Sequence, residues 1–120
     1  MPSSDSRLRI TVRDTVTCVE FLDRNILDEL NIQSIGEEIG SLIESGSKPR
    51  LLISFANVDH LASAALGALI TIRNKVKARD GELRLSDIDP QIYEVFVITR
   101  LENLFNIHDT SEDALKAFKK

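Results

Sequence analysis

The sequence has little of what builds reactive or metal-bound sites. In 120 residues it has one cysteine, two histidines, one tyrosine and no tryptophan. Cys18 has no second cysteine to pair with, and His60 and His108 stand far apart, so neither a metal site nor a Cys–His nucleophile is indicated. Cys18 lies in the alternating run TVTCVEF, where a small apolar core residue is the expected role. The motifs G-x-G-x-x-G, H-E-x-x-H, G-x-S-x-G and the P-loop are all absent. No apolar run reaches the roughly 18–20 residues of a membrane span, and MPSSDSRLR lacks the apolar stretch of a secretory signal. Concentrated positive charge is missing too. The formal net charge is −4, and Lys and Arg are scattered apart from Lys116, Lys119 and Lys120. Nucleic-acid binding requires a basic face. The expectation is a cytoplasmic chain with no cofactor, no metal, no nucleic acid or membrane partner, and no catalytic residue.

What is present is pattern. With 42% hydrophobic and 28% charged residues, the chain fits one domain with a small core. Residues 1–6 are expected as a disordered start and 7–120 as the domain. Leu8, Ile10 and Val12 alternate with polar residues, RDT interrupts, and Val16, Cys18, Val19 and Phe21 resume, which predicts a hairpin over 7–21. Residues 22–32 begin polar and irregular, and Asp23, Asp28 and Glu29 form an acidic cluster expected to be solvated. From about Asn31, Ile32, Ile35, Ile39, Leu42 and Ile43 fall on one helical stripe, which Gly46 and Pro49 end. RLLISF (50–55) reads as a strand buried on both faces. Leu66, Leu69, Ile70 and Val76 predict a helix over 63–78, with cations toward its C-terminus. A short strand follows, with Leu83, Leu85 and Ile88 inward. Asp89 and Pro90 then open a helix striped by Ile92, Val95, Phe96 and Thr99. NLFNIHD reads as a short extended piece, and Ser111 as the cap of a last helix. The order β-β-α-β-α-β-α-β-α predicts an α/β domain. Its sheet is mixed, mostly parallel and of about five strands, with about four helices packed against it.

One hydroxyl stands out. Ser63 sits among small and apolar residues in LASAALGAL (61–69), after the turn-like stretch Asn57 to His60. It suits a helix N-cap, worth about 0.5–2 kcal/mol. It equally suits phosphorylation, because a helix N-terminus favours added negative charge. One serine can fill both roles.

The stretch from Leu51 to Leu115 resembles the STAS domain of bacterial anti-sigma factor antagonists. The shared features are an apolar strand, a short loop, a serine motif, a Leu-rich helix with basic residues, and a Gly-x-Leu-x-Leu strand. A late Thr-x-Leu and a Leu-Phe-x-Ile follow, and then a final helix whose start in the family often carries Ser-x-x-x-Ala-Leu, where this chain has Ser111-Glu112-Asp113-Ala114-Leu115. The likeness spans about residues 7–118. Against the family motif Asp-Ser-Ser-Gly-Leu-Gly the chain reads Ala62-Ser63-Ala64-Ala65-Leu66-Gly67. The resemblance implies partner switching. The unphosphorylated domain would bind an anti-sigma factor that is also a serine kinase and so release a sigma factor. Phosphorylation at Ser63 would end binding, and a serine phosphatase would reset the switch. Ala62 changes the electrostatics around Ser63, Ala64 removes a second acceptor, and Ala65 in place of glycine favours the helix by up to about 1 kcal/mol. Leu22-Asp23 matches a Leu-Asp pair of the family, and in the implied fold its loop neighbours Ser63. The expected partner contacts are Asp23, Asn25, Asp28, Asp59, His60, Leu61, Ala62, Ala64 and Leu66, on a monomer or weak homodimer. The alternative within the same fold is a stressosome-type scaffold subunit that sequesters a kinase.

Overall fold

The computed structural model describes residues 8–13, 15–26, 29–44 and 48–118. The expected disordered start, Asp28 and Gly46 lie outside the described residues. Strands β1 (Leu8–Arg13) and β2 (Val16–Phe21) pair antiparallel, Leu8 opposite Phe21 and Arg13 opposite Val16. From β2 the chain winds through β4 (Arg50–Ser54), β6 (Glu82–Ser86) and β7 (Asn106–His108), each parallel to its neighbour. The strand order is β1-β2-β4-β6-β7, so the sheet is mixed, and among the described residues its only antiparallel pair is the edge hairpin. The helices are α1 (Glu29–Glu44), α2 (Ser63–Ala78), α3 (Pro90–Ile98) and α4 (Ser111–Phe118), with a short 3-10 turn at Leu101–Asn103. Two further strands, β3 (Asn25–Ile26) and β5 (His60–Leu61), form a separate ribbon. None of the described helices is long and apolar enough to cross a membrane.

Alternation along the strands divides the core. Leu51 and Ile53 of β4, Val19 and Phe21 of β2, and Leu83 and Leu85 of β6 face a large cluster built with Ile35, Ile39 and Ile43 of α1 and Leu66, Leu69, Ile72 and Val76 of α2. Ile92 and Phe96 of α3 close the same cluster, Phe96 meeting Phe105 edge-on at 5.9 Å. On the opposite face Val16 and Leu52 pack against Ala114 and Phe118 of α4. Arg50 and Arg84 bracket the Phe118 ring, 5.9 and 5.3 Å from its centroid, as cation–π pairs. The Arg50 Nη2 also donates to the Phe118 carbonyl at 2.5 Å.

Local chemistry accounts for several junctions. Asp89 Oδ1 accepts the Gln91 N–H at 2.7 Å and Pro90 follows it, so α3 starts where the sequence places it. A Cβ on Gly81 would overlap the Pro49 carbonyl oxygen and reach 2.7 Å from its ring. That carbonyl accepts the Glu82 N–H at 2.8 Å, so the turn into β6 closes over Pro49 only with glycine there. Asp87 stands at φ 59°, in the left-handed region. Its Oδ2 accepts hydroxyls from Ser54 (3.1 Å), Ser86 (2.8 Å) and Ser111 (2.7 Å), tying β4, β6 and α4 together.

Three readings are corrected. Ser111 does not cap α4; Thr110 Oγ1 accepts the Asp113 N–H at 3.1 Å, which leaves Ser111 free to turn onto Asp87. Thr99 is exposed at the end of α3 rather than inside its buried stripe, and its hydroxyl donates to the Val95 carbonyl at 2.7 Å. Cys18 is half-buried beside the smaller cluster, not deep in the core. Burial there pushes its thiol up, a shift that nearby Arg13 opposes. The strand period at TVTCVEF could not distinguish the two faces, because both are partly covered.

Candidate functional site

The chain ahead of α2 is held straight by the β3–β5 ribbon. Asn25 lies beside His60, and Ile26 beside Leu61, in parallel register. The Arg24 carbonyl accepts the N–H groups of Asp59 (2.7 Å) and His60 (3.2 Å), and the Ile26 carbonyl accepts that of Ala62 (2.9 Å). The Arg24 guanidinium donates through Nε and Nη2 to Asp59 Oδ2 at 2.8 and 2.7 Å. Asn57 Nδ2 donates to the Phe21 carbonyl at 3.2 Å, and Val58 is buried below. Asn31 Nδ2 donates to Asp23 Oδ2 at 3.0 Å, anchoring the loop to α1. Two segments 35 residues apart in sequence thus form one surface.

The ribbon also fixes where α2 begins. Ala62 is extended, at φ −74° and ψ 154°, and its carbonyl accepts the Ala65 N–H at 2.9 Å. Ala62 is therefore the N-cap, and Ser63 is the first helical residue. The capping role for Ser63 is thereby overturned. The bond from Ala62 to Ile26 commits the extended conformation one residue earlier than a serine cap would need. Among the described residues no side chain caps α2, and its first turn carries no acidic residue.

Ser63 is exposed, and its hydroxyl has no hydrogen-bond partner among the described residues. Ala64 and Gly67, next to it and one turn on, are exposed as well. Around Ser63 the surface is thus small, uncharged and open. It ends on backbone N–H groups that no side chain satisfies, and such a terminus favours negative charge. A nucleophilic serine needs a hydrogen-bonded base, and Ser63 has none among the described residues. Nor do the described residues contain a group of three or more His, Cys, Asp or Glu able to share a metal ion.

The other expected contacts divide. Asn25, His60 and Ala64 are exposed, and Asp23, Asp59, Leu61 and Ala62 are half-buried on the same ribbon. Leu61 and Ala62 also pack against the core, and Asp28 lies outside the described residues. Leu66 is corrected: at 4% exposure it faces the sheet and supports the surface from below. Ala65, at 5%, turns inward too and borders a small apolar hollow with Phe21, Ile26, Ile35 and Phe55. Arg24 and Asn57 escaped the sequence reading. The only sign of Arg24 was its position as a lone cation within LDRNILDE, and its partner lies in another segment.

Comparison with known proteins gives three kinds of likeness. The profile of the family described as the STAS domain matches residues 8–114. The anti-sigma-B factor antagonist of Bacillus subtilis is 26% identical over 95 residues, covering 77% of this chain and 85% of that protein. An anti-sigma-factor antagonist (STAS) domain protein from Planctomyces limnophilus superposes with a TM-score of 0.86 at 21% identity, over 94% of this chain and 98% of that one. SpoIIAA, a Bacillus anti-sigma factor antagonist and cell fate determinant solved unphosphorylated and phosphorylated, superposes at 0.71 in both forms with 18% identity. These cover 93% and 92% of this chain and 97% and 98% of SpoIIAA.

Proposed function

The chain belongs to the STAS domain family, and from that premise we propose that it is an anti-sigma factor antagonist switched at Ser63. Unphosphorylated, it binds a serine-kinase anti-sigma factor and so frees a sigma factor. The kinase phosphorylates Ser63, the complex parts, and a serine phosphatase restores the binding form. The domain itself binds and does no chemistry. The observation that carries this reading is the state of the Ser63 hydroxyl, exposed at the first position of α2 and, among the described residues, without a hydrogen-bond partner or a capping side chain beside it. A phosphoryl group there would meet unsatisfied N–H groups, so the domain tolerates it. A partner seated on Ala64 and Gly67 would meet about −1.5 to −2 new charges on a surface with no room to disperse them. Attachment would therefore be lost with little cost to the fold. The rest of the docking surface is the ribbon, with Asp23, Asn25, Asp59 and His60 around Leu61 and Ala62, and Arg24 holding Asp59 in place.

Titration calorimetry against the histidine-kinase-like anti-sigma proteins of the encoding genome tests this. Wild type and Ser63→Ala should bind one of them equally, and Ser63→Asp should bind at least about 100-fold more weakly, as an unpaired charge desolvated in the contact requires. Equal binding by Ser63→Asp overturns the switch.

A further inference from the structure

Where the ribbon meets α1 and α2 the packing leaves a gap. An apolar hollow of about 300 Å³, counted with its open mouth, lies there. Its walls include Ile26 and Leu61 of the ribbon, Ile32 and Ile35 of α1, and Ala65 and Ala68 of α2, and among the described residues no polar side chain lines it. The lining residues are buried except Leu61 and Ala68, which are half-buried, so the mouth lies between those two. The seam of the two helices is loose further along as well. A Cβ on Gly40 would stand 3.2 Å from Lys75 Nζ, so this face of α1 meets α2. Gly36, about one turn earlier, is half-buried and has nothing within 4 Å of its Cβ position. Protein interiors hold few such voids, and an unfilled apolar lining forgoes dispersion contacts.

The mouth adjoins the switch. Around α2, Ala64 follows Ser63 by about 100° and Ala68 lies about 40° beyond Ala64, so the open face bearing Ser63 runs on to the mouth. On the other side Leu61 ends the ribbon strand two residues before Ser63. Resting on the reading of this surface as the place where an anti-sigma factor docks, we propose that the partner anchors itself with one aliphatic side chain. That side chain, a Val, Leu, Ile or Met, enters the hollow between Leu61 and Ala68. The lining dictates this chemistry. A polar or charged tip would be desolvated with no side chain to pair with, whereas an aliphatic tip supplies contacts that the free domain lacks. Buried anchors of this kind, ringed by contacts that exclude water, carry much of the energy of an interface. With water excluded at the mouth, a phosphate on Ser63 would be desolvated when the partner docks, which sharpens the switch.

Two measurements test the anchor. Dry apolar hollows take up xenon, so methyl NMR of the free domain under xenon pressure should show shifts at Ile26, Ile32 and Ile35. The shifts should vanish in Ala68→Leu, whose own side chain fills the space. They should vanish too in wild type saturated with whichever histidine-kinase-like anti-sigma protein of the encoding genome binds it. In titration calorimetry against that protein, Ala68→Leu should bind at least about tenfold more weakly, as loss of a buried anchor does. Its melting temperature should be unchanged or higher, because filling a cavity stabilises. A wild type that binds none of those proteins overturns the switch reading and the anchor with it. If wild type binds and Ser63→Asp does not, while Ala68→Leu binds like wild type or the complex still takes up xenon, the anchor alone is overturned. A free domain without a xenon response also overturns the anchor alone.

Discussion

Alanine at Gly67 and alanine at Gly81 should shift stability in opposite directions. At Gly67 a Cβ meets nothing within 4 Å, so the gain in helix propensity is free to appear, about 0.5–1 kcal/mol as a higher melting temperature. At Gly81 it strikes the Pro49 carbonyl and ring, and backbone must shift, at a cost of about 1–3 kcal/mol. Thermal denaturation of the two variants reads both signs, and a stabilised Gly81→Ala would contradict the turn described. Gly67→Ala has a second use. It adds a methyl one turn beyond Ser63, so a partner seated closely on that face should bind it less well although the free domain is more stable. At this scale Ser63 was legible because a lone hydroxyl in an apolar run is conspicuous. Its failure to cap was not, since the Ala62–Ile26 bond that displaces the cap joins segments distant in sequence. Arg24 was hidden for the same reason.

The elements with strong periods were the ones sequence could place. The stripe in α1 and the apolar run of β4 declare themselves, and the structure starts α1 at Glu29, three residues before Ile32, the first residue of the stripe. The ribbon did not, because two-residue strands are too short to carry a period. Its pairing depends on bringing two loops together, which only the sheet does. Beside the smaller layer, α4 against the sheet, β7 carries a titratable group. His108 Nε2 lies 3.0 Å from Arg84 Nη1, which can donate only to a neutral imidazole, and Arg84 also pairs with Glu82 at 2.6 Å. Burial, and then the Arg84 charge, hold His108 below its ordinary value, with Asp113 and Asp109 opposing. A lowered folded value means that the unfolded chain takes up the proton first. The contribution is complete above the ordinary value of about 6.5 and is lost as pH falls through the window beneath it. Melting temperature should therefore decline below about pH 6.5, and His108→Gln should decline less over the same interval. Identical slopes would show that His108 does not contribute to the pH dependence of stability.

For the whole molecule, the alternation of strands with helices and the unbroken apolar strand RLLISF were enough to imply a parallel sheet with one antiparallel edge. Crossover handedness then leaves few ways to wind it. The two faces were harder to separate, because Leu51 and Leu52 look alike in sequence and enter different clusters. That winding is what delivers the ribbon, the uncapped end of α2 and Ser63 to a single surface. The most direct test of the proposed switch is to incubate the protein with ATP and the histidine-kinase-like anti-sigma proteins of the encoding genome, and to locate any phosphate by mass spectrometry. One phosphate on Ser63, absent from Ser63→Ala and accompanied by loss of the complex, is the predicted result. Phosphate at another residue, or a complex that survives phosphorylation of Ser63, would contradict it.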